Sequence, residues 1–336
     1  MKVNIYTLDV NFTAKNQMYL LAKALKRKGI NSTIYPIFNF HKNKPDEINI
    51  FFPFHYHHPF PTGRQKINGI YISKKLYPFY KNDIPIGFAD SSLFATEVLE
   101  DIRSYNYSYF GALSKDTAEV MSLPKTEVIY GCYDPYILGL RHKKQDIPVI
   151  YVNATNFYYR RGYDIALRAL ERLSSEENFK VIIRDWNNPP LPENLKSITT
   201  VVSGVLTKEK HYEALNKADI VFSPNRGGAL ELQILESLVL GKTIIIPNKG
   251  GVSELPDKDD VYWIDTLNRD FPIIGTDYTE QAYHLGYMYS LDEDSAYSQL
   301  KKAIKHPKKY DIRKYISRYS PEAYAKRIIE FYNKHS

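Results

Sequence analysis

The sequence predicts an α/β protein of two doubly wound domains with parallel sheets, placed in tandem. Three observations predict it. The chain has 336 residues, too many for one ordinary core. Short apolar runs alternate with amphipathic helical segments in both halves, the pattern of parallel sheets covered by helices. A polar break, Arg141-His142-Lys143-Lys144-Gln145-Asp146, separates the two series.

The apolar run at residues 3–8 is the expected first strand. Residues 15–28 then place Met18, Leu21, Ala22 and Leu25 on one face and Lys23, Lys26, Arg27 and Lys28 elsewhere, a basic amphipathic helix that Gly29 ends. Further strands are expected at 32–37, 48–52, 70–72, 109–113 and 126–130, with a helix at 92–103. Beyond the break, strands are expected at 149–153, 179–184, 200–203, 220–223 and 243–247, and helices at 163–173, 208–217 and 230–240. The last helix, 321–334, has Ser320 as its cap and Pro321 in its first position. The expected division is an N-terminal domain over 1–145 and a C-terminal domain over 146–316, with a helix at about 317–336 packing back on the first. Tandem domains of this kind place a ligand between the carboxyl ends of their sheets.

Composition narrows the class. Hydrophobic content of 43% and charged content of 25% suit a soluble globular protein. No apolar run approaches the roughly 18–20 residues that span a bilayer, and the start Met1-Lys2-Val3-Asn4-Ile5-Tyr6 lacks the pattern of a signal peptide. The single cysteine, Cys132, excludes an internal disulfide and a cysteine-based zinc cluster, so the expected compartment is the cytoplasm. The net charge of +7 is uneven: residues 1–150 hold about 19 Lys and Arg against about 13 Asp and Glu. A basic half suits nucleic acid, an anionic membrane surface or a phosphorylated substrate. No helix-turn-helix, zinc-finger or RNP signature accompanies it, and nucleic acid is not an expected partner.

The segment richest in chemistry begins Ala218-Asp219-Ile220-Val221-Phe222-Ser223-Pro224 and continues through Gly227-Gly228-Ala229-Leu230-Glu231 to Glu236, Gly241-Lys242-Thr243 and Asn248-Lys249-Gly250-Gly251. It closes with Val252-Ser253-Glu254-Leu255. It reads as strand, glycine turn, helix, strand and Gly-Gly turn. Glycines before a helix let backbone N–H groups approach an anion, and the helix dipole favours negative charge there. A carboxylate farther along that helix can accept hydrogen bonds from vicinal hydroxyls of a ribose or sugar. Any strand–turn–helix of an α/β protein shares the Gly-Gly alone; the ordered string is far more specific.

That string resembles the donor-binding signature of the retaining glycosyltransferases of the GT-B fold, two facing Rossmann-like domains, and especially glycosyltransferase family 4. Ala218-Asp219, Ser223-Pro224, Glu236, Gly241-Lys242-Thr243, Gly250-Gly251 and Glu254-Leu255 fall in register with the family pattern. The helix Leu21-Ala22-Lys23-Ala24-Leu25, the segment Ala112-Leu113-Ser114-Lys115, the turn Gly131-Cys132-Tyr133-Asp134 and Arg161-Gly162-Tyr163-Asp164 are similar to other family landmarks. The resemblance implies an acceptor-side N-terminal domain and a donor-binding C-terminal domain. It implies transfer of a sugar from a nucleoside diphosphate sugar to a hydroxyl of a glycan, lipid or other acceptor, with retention and without a metal or other cofactor.

The resemblance also implies site residues. Gly228, Ala229, Leu230, Glu231, Gly250 and Gly251 would line the donor, Glu236 would hold the ribose hydroxyls, and Arg161 would replace a phosphate-binding lysine with a forked donor. Arg160 and Lys15 are further candidates for phosphate contact. His57 and His58, in Phe54-His55-Tyr56-His57-His58-Pro59 after a strand, face the acceptor in this reading; loop surface and metal binding are the alternatives. The sequence also departs from the pattern. The first motif glutamate, eight residues before Glu236, is Gly228, while Glu231 stands where a glycine is usual and is either a substitute sugar contact or a charge near a helix start. The clamp arginine six residues before Arg161 is Thr155, and the first Gly-Gly loop is replaced by Val10-Asn11-Phe12-Thr13-Ala14-Lys15-Asn16. These losses define the alternative, a GT-B protein that binds nucleotide or sugar without turnover. Peripheral contact of the basic helix 15–28 with an anionic membrane is compatible with either reading. The acidic clusters at Asp257, Asp259 and Asp260 and at Asp292, Glu293 and Asp294 read as loop and helix-start residues.

Overall fold

The alternating runs resolve into two six-stranded sheets in a computed structural model that describes residues 2–7, 12–36, 47–54, 83–87, 110–121, 126–142, 144–155, 159–185, 189–204, 206–228, 230–270 and 288–335. The first sheet contains β1 (Lys2–Thr7), β2 (Asn31–Pro36), β3 (Ile48–Phe54), β4 (Asp83–Gly87), β5 (Phe110–Ala112) and β6 (Thr126–Val128). Helix α1 (Phe12–Arg27) connects β1 to β2, and α2 (Lys115–Met121) connects β5 to β6. The strands run in the order β2-β1-β3-β4-β5-β6, every neighbouring pair parallel. The strand and helix expected at 70–72 and 92–103 lie outside the described residues.

The second half continues with β7 (Val149–Asn153), α3 (Tyr163–Ser174), β8 (Lys180–Arg184), α4 (Glu193–Lys196), β9 (Thr199–Val202) and α5 (Lys208–Lys217). Then come β10 (Ile220–Phe222), α6 (Leu232–Val239), β11 (Thr243–Pro247), a 3-10 turn (Gly251–Glu254) and β12 (Tyr262–Ile264). Its order is β12-β11-β10-β7-β8-β9, again parallel throughout, so chain direction across the sheet reverses between β7 and β10. All five residues of β11 are buried. Ile244, Ile245 and Ile246 are fully buried at successive positions, which requires helices on both faces of the sheet and stabilises by about 1.5–3 kcal/mol per side chain. One face packs α3 and α7 (Glu293–Lys305) through Ile165, Leu170 and Leu300; the other packs α5 and α6 through Leu215, Ile234 and Leu238.

Periodicity did not announce β4, α2, α4 or β12, and two further departures bear on the site. A short antiparallel ribbon, β13 (Thr266–Asp270) with β14 (Met288–Leu291), follows the second sheet. Helix α6 begins at Leu232 rather than 230, because Glu231 adopts the extended backbone of a cap residue (φ −91°, ψ 101°). The acidic clusters behave as their positions predict: Asp292 caps α7 at Ser295 N–H, 3.0 Å, and Asp257 pairs with Lys314 and Arg318.

After α8 (Ile312–Arg318), helix α9 (Pro321–His335) joins the first half. Tyr324, Ala325, Ile328 and Phe331 share a core with Val3, Met18, Leu21 and Leu25 of β1 and α1. Arg27 of α1 pairs with Glu322 of α9, and Lys23 and Lys26 stay exposed. The chain therefore crosses between the halves twice, and the crossings touch. Tyr133 N–H donates to Tyr319 O at 3.1 Å, and the Tyr130 and Tyr319 rings meet edge to face at 6.1 Å.

Candidate functional site

A doubly wound sheet opens a crevice where strand direction reverses, beyond the carboxyl ends of the two central strands. In the second sheet those strands are β7 and β10, so residues after Asn153 and after Phe222 face the crevice. Arg160, Arg161 and Gly162 lie on the first of these loops and Gly228 to Glu231 on the second. The two loops are pressed together. Gly162 has φ +65°, and a Cβ added there would lie 1.7 Å from Pro224 O, so only glycine fits. Arg226 N–H donates to Arg160 O at 2.8 Å, and the Arg226 guanidinium grips Asp164 with two bonds of 2.6 and 2.7 Å while covering the Tyr159 ring at 4.0 Å. Burial pushes the Asp164 carboxyl up, but the hydrogen bonds from Arg226 and Arg168 outweigh it and hold the group below the usual carboxylate range.

Glu231 sits at the centre of this junction, almost fully buried. Its carboxylate accepts from Ser223 Oγ at 3.1 Å, Gln233 Nε2 at 3.2 Å and Asn225 Nδ2, and it forms an ion pair with Arg161 Nη1. The structure thus brings Arg161 and Glu231 together. A Cβ at Gly228 would lie 3.6 Å from Glu231 Cγ and 3.8 Å from its Oε1. That Cβ would also lie 3.0 Å from Asn225 Nδ2, so position 228 borders the Glu231 side chain and its partner Asn225. Arg160 is buried beside them. Ala229, His57 and His58 lie outside the described residues. Leu230 touches both cores: it borders the cluster around α1 and the cluster around α6.

Glu236 forms a second polar centre, one helical turn and a half along α6, or about 7.5 Å of rise from Glu231. Tyr212 OH donates to Glu236 Oε1 at 2.7 Å, and His211 Nε2 lies 3.7 Å from Oε2. Burial, and next the Glu236 charge, push the Tyr212 hydroxyl well above its ordinary value, so it remains a donor. Tyr136 stacks on Tyr212 with ring centroids 5.8 Å apart, and Lys208 pairs with Asp134 at 2.7 Å. Asn16 of α1 also donates to Asp134, at 3.2 Å, and Gln17 exchanges two hydrogen bonds with the Cys132 backbone. Lys15, half-buried in the first turn of α1, is the residue before this contact.

The Gly250–Gly251 turn lies at the end of β11. Gly250 has φ +84°, and a Cβ there would meet the Tyr289 ring at 3.4 Å. Glu254, in register with the same motif, points elsewhere: it accepts from Lys115 N–H at 2.8 Å, Asp116 N–H at 3.0 Å and Tyr130 OH at 3.0 Å, all in the first half of the chain. Sequence reasoning placed Ser223 in the motif without its bond to Glu231, and it missed Asn225, Arg226, Tyr212 and Tyr289. Only the clustering of polar residues after β10 hinted at Asn225 and Arg226. Among the described residues no group of three or more His, Cys, Asp or Glu could hold a metal ion, and no helix is long and apolar enough to cross a membrane.

Comparison with known proteins agrees with this architecture. No family model matches the chain. One curated relative, named provisionally as glycosyltransferase 45 of Sulfolobus islandicus filamentous virus (isolate Iceland/Hveragerdi), is 29% identical over 203 residues. The match covers 58% of this chain and only 56% of the relative's length. The structure of AviGT4, a glycosyltransferase involved in avilamycin A biosynthesis, superposes with a TM-score of 0.61 over 99% of this chain and 97% of that one, at 11% identity. Sucrose-phosphate synthase from Thermosynechococcus elongatus gives 0.57 over 99% and 95% at 11% identity. A glycosyltransferase from Rickettsia africae ESF-5 gives 0.57 over 99% and 98% at 13% identity. The fold is GT-B: two Rossmann-like domains in one chain.

Proposed function

We propose that this protein is a glycosyltransferase that moves a sugar from a nucleoside diphosphate sugar to a hydroxyl acceptor. The observation that carries the reading is the Arg161–Glu231 pair at the switch point of the second sheet, with the Glu231 carboxylate beside Gly228, the position of the missing glutamate. In this reading the carboxylate absent at 228 is supplied by its neighbour Glu231, which takes over the sugar contact. The virus relative, called a glycosyltransferase, and the fold of AviGT4 support the same class.

In this reading Glu231 faces the transferred sugar, Glu236 takes the ribose hydroxyls with Tyr212 fixing its orientation, and Arg161, with Arg160 and Lys15 nearby, meets the diphosphate. A guanidinium has five N–H donors, so pairing with Glu231 and contacting a phosphate are compatible. Gly228 and Leu230 offer backbone N–H groups, with the N-terminus of α6, to the departing phosphate. Catalysis then rests on electrostatic stabilisation of the leaving group and on positioning. The diphosphate takes the acceptor's proton on the face it leaves, which gives retention and requires no metal. His57 and His58, which follow β3 in the sequence, serve the acceptor side in this reading.

A thermal-shift screen with UDP, GDP, ADP and their sugar conjugates tests the donor site. Ligand at about 100 times its dissociation constant raises stability by roughly 2.7 kcal/mol. One nucleotide series should stand out, and Glu236→Ala should lose the shift. No shift with any of them would remove the donor assignment. A shift without any donor hydrolysis or transfer would favour the non-catalytic binder.

A further inference from the structure

We propose that Glu254 is a positioning residue that couples the Gly250–Gly251 turn to the N-terminal domain, so that nucleotide binding and domain closure are one event. The inference rests on the reading of that turn as part of the donor site. It starts from a pair of carboxylates that each domain lends to the other. Glu254 of the second half accepts from Lys115 N–H and Asp116 N–H, the first two amides of α2, at 2.8 and 3.0 Å. Asp116 of the first half accepts from Tyr289 OH at 3.0 Å and lies 3.5 Å from Arg269 Nη2.

Amides in the first turn of a helix have no intrahelical acceptor. In α2 the third of them, Thr117 N–H, is taken locally by Ser114 Oγ at 3.0 Å. The other two donate across the domain boundary, to a full negative charge at the positive end of a helix dipole. Tyr130 OH adds a third donor to Glu254 at 3.0 Å. Burial, and then the Glu254 charge, push that hydroxyl up, so it stays protonated and donating.

Rigid links join these contacts to the glycine turn. Ser253 N–H and Ser253 Oγ both bond Gly250 O, at 3.0 and 2.8 Å, so residues 250 to 254 form one tight turn. Gly250 also abuts the Tyr289 ring, whose hydroxyl is the one held by Asp116. The links close a circuit: Gly250, the 3-10 turn, Glu254, the start of α2, Asp116, Tyr289 and Gly250 again. A ligand that draws Gly250–Gly251 inward pulls α2 with it, and separation of the domains withdraws the turn from the ligand. Two sites linked in this way share a coupling free energy, and each responds to the other.

The test is hydrogen exchange of the full-length protein with and without UDP, GDP or ADP, read at the amides of Lys115, Asp116 and Thr117, in wild type, Glu254→Gln and Glu254→Ala. Nucleotide should slow exchange at 115 and 116 in wild type, weakly in Glu254→Gln, which keeps one acceptor oxygen, and not at all in Glu254→Ala. Thr117, capped by Ser114, serves as the internal reference for a folded α2. In turnover assays the donor KM should rise about tenfold in Glu254→Ala, and Glu254→Gln should recover part of it. Nucleotide binding with equal added protection in wild type and Glu254→Ala overturns the coupling while the donor site stands. Absence of nucleotide binding to wild type overturns both. Loss of protection at Thr117 as well would mean that α2 had unfolded. Asp116→Asn then decides, since it keeps an acceptor for Tyr289 and leaves both amides in place: it must retain nucleotide-linked protection, or the proposal fails.

Discussion

Replacing Gly162 with alanine strikes the junction between the two site loops without removing any polar side chain. Position 162 has φ +65°, and the left-handed region costs an L-residue about 1–2 kcal/mol. The new methyl would also lie 1.7 Å from Pro224 O and 2.7 Å from its carbonyl carbon. Such contacts open only if the 223–228 loop retreats by more than an ångström, and overpacking of this kind costs about 1–3 kcal/mol. The total is about 3 kcal/mol, or roughly 6–12 °C in melting temperature for a domain of this size. Gly204→Ala is the matched control: φ is +81° but no atom lies within 4 Å of the added Cβ, so it should lose only the backbone part, roughly 3–6 °C. Calorimetry of both variants measures the difference directly. Because the loop carries Ser223 and Asn225, partners of Glu231, Gly162→Ala should also lose transfer activity out of proportion to its stability. If it melts like Gly204→Ala and keeps full activity, the loops are not in contact and the geometry argued for Arg161 and Glu231 is wrong.

Two more outcomes follow from the same region. Gly228→Glu alone should be inactive, because its Cβ meets Asn225 Nδ2 at 3.0 Å and a second carboxylate beside buried Glu231 repels it; Glu231→Gly alone should be inactive for want of the carboxylate. The double variant should recover activity that both singles lack, and a double variant no better than either would refute the exchange of positions. Lys242 gives a pH test. Burial pushes its ammonium down to about 8 from an ordinary 10.5, with Asp219 partly offsetting the shift. Between those values the unfolded chain holds a proton that the folded protein lacks, so this group makes stability rise with pH across that window. Lys242→Met should flatten the rise in a series of thermal melts, and an unchanged slope would exclude the assignment.

The elements that bury a continuous apolar face were legible in the sequence. Tyr163–Ser174 and Pro321–His335 match the stripes at 163–173 and 321–334 almost residue for residue. Strand β4 was not seen, because Asp-Ile-Pro-Ile-Gly carries a breaker in its middle and is too short to show a period. Of helix α7 only the acidic start was read, as helix-start residues; its buried stripe of Ala296, Leu300 and Ala303 was not. The candidate site was legible as a string of residues but not as a set of contacts. Arg161 and Glu231 were singled out separately. That they pair depends on the positive φ of Gly162 and on the extended backbone of Glu231, neither of which a sequence displays. Glu254 fell in register with a donor motif, yet its acceptors are filled by backbone amides 139 and 138 residues away, a partnership that no local pattern encodes.

The two chain crossings, hydrogen-bonded to each other at Tyr133 and Tyr319, give the molecule a hinge with two leaves instead of a single tether. A single linker permits swing, twist and slide, whereas two neighbouring connections leave free mainly the rotation about the line that joins them. Two such connections favour opening and closing along one arc over twist or slide. The same arrangement makes the polar stretch 141–146 expendable as a tie: a chain cut there would still be held together through α8 and α9.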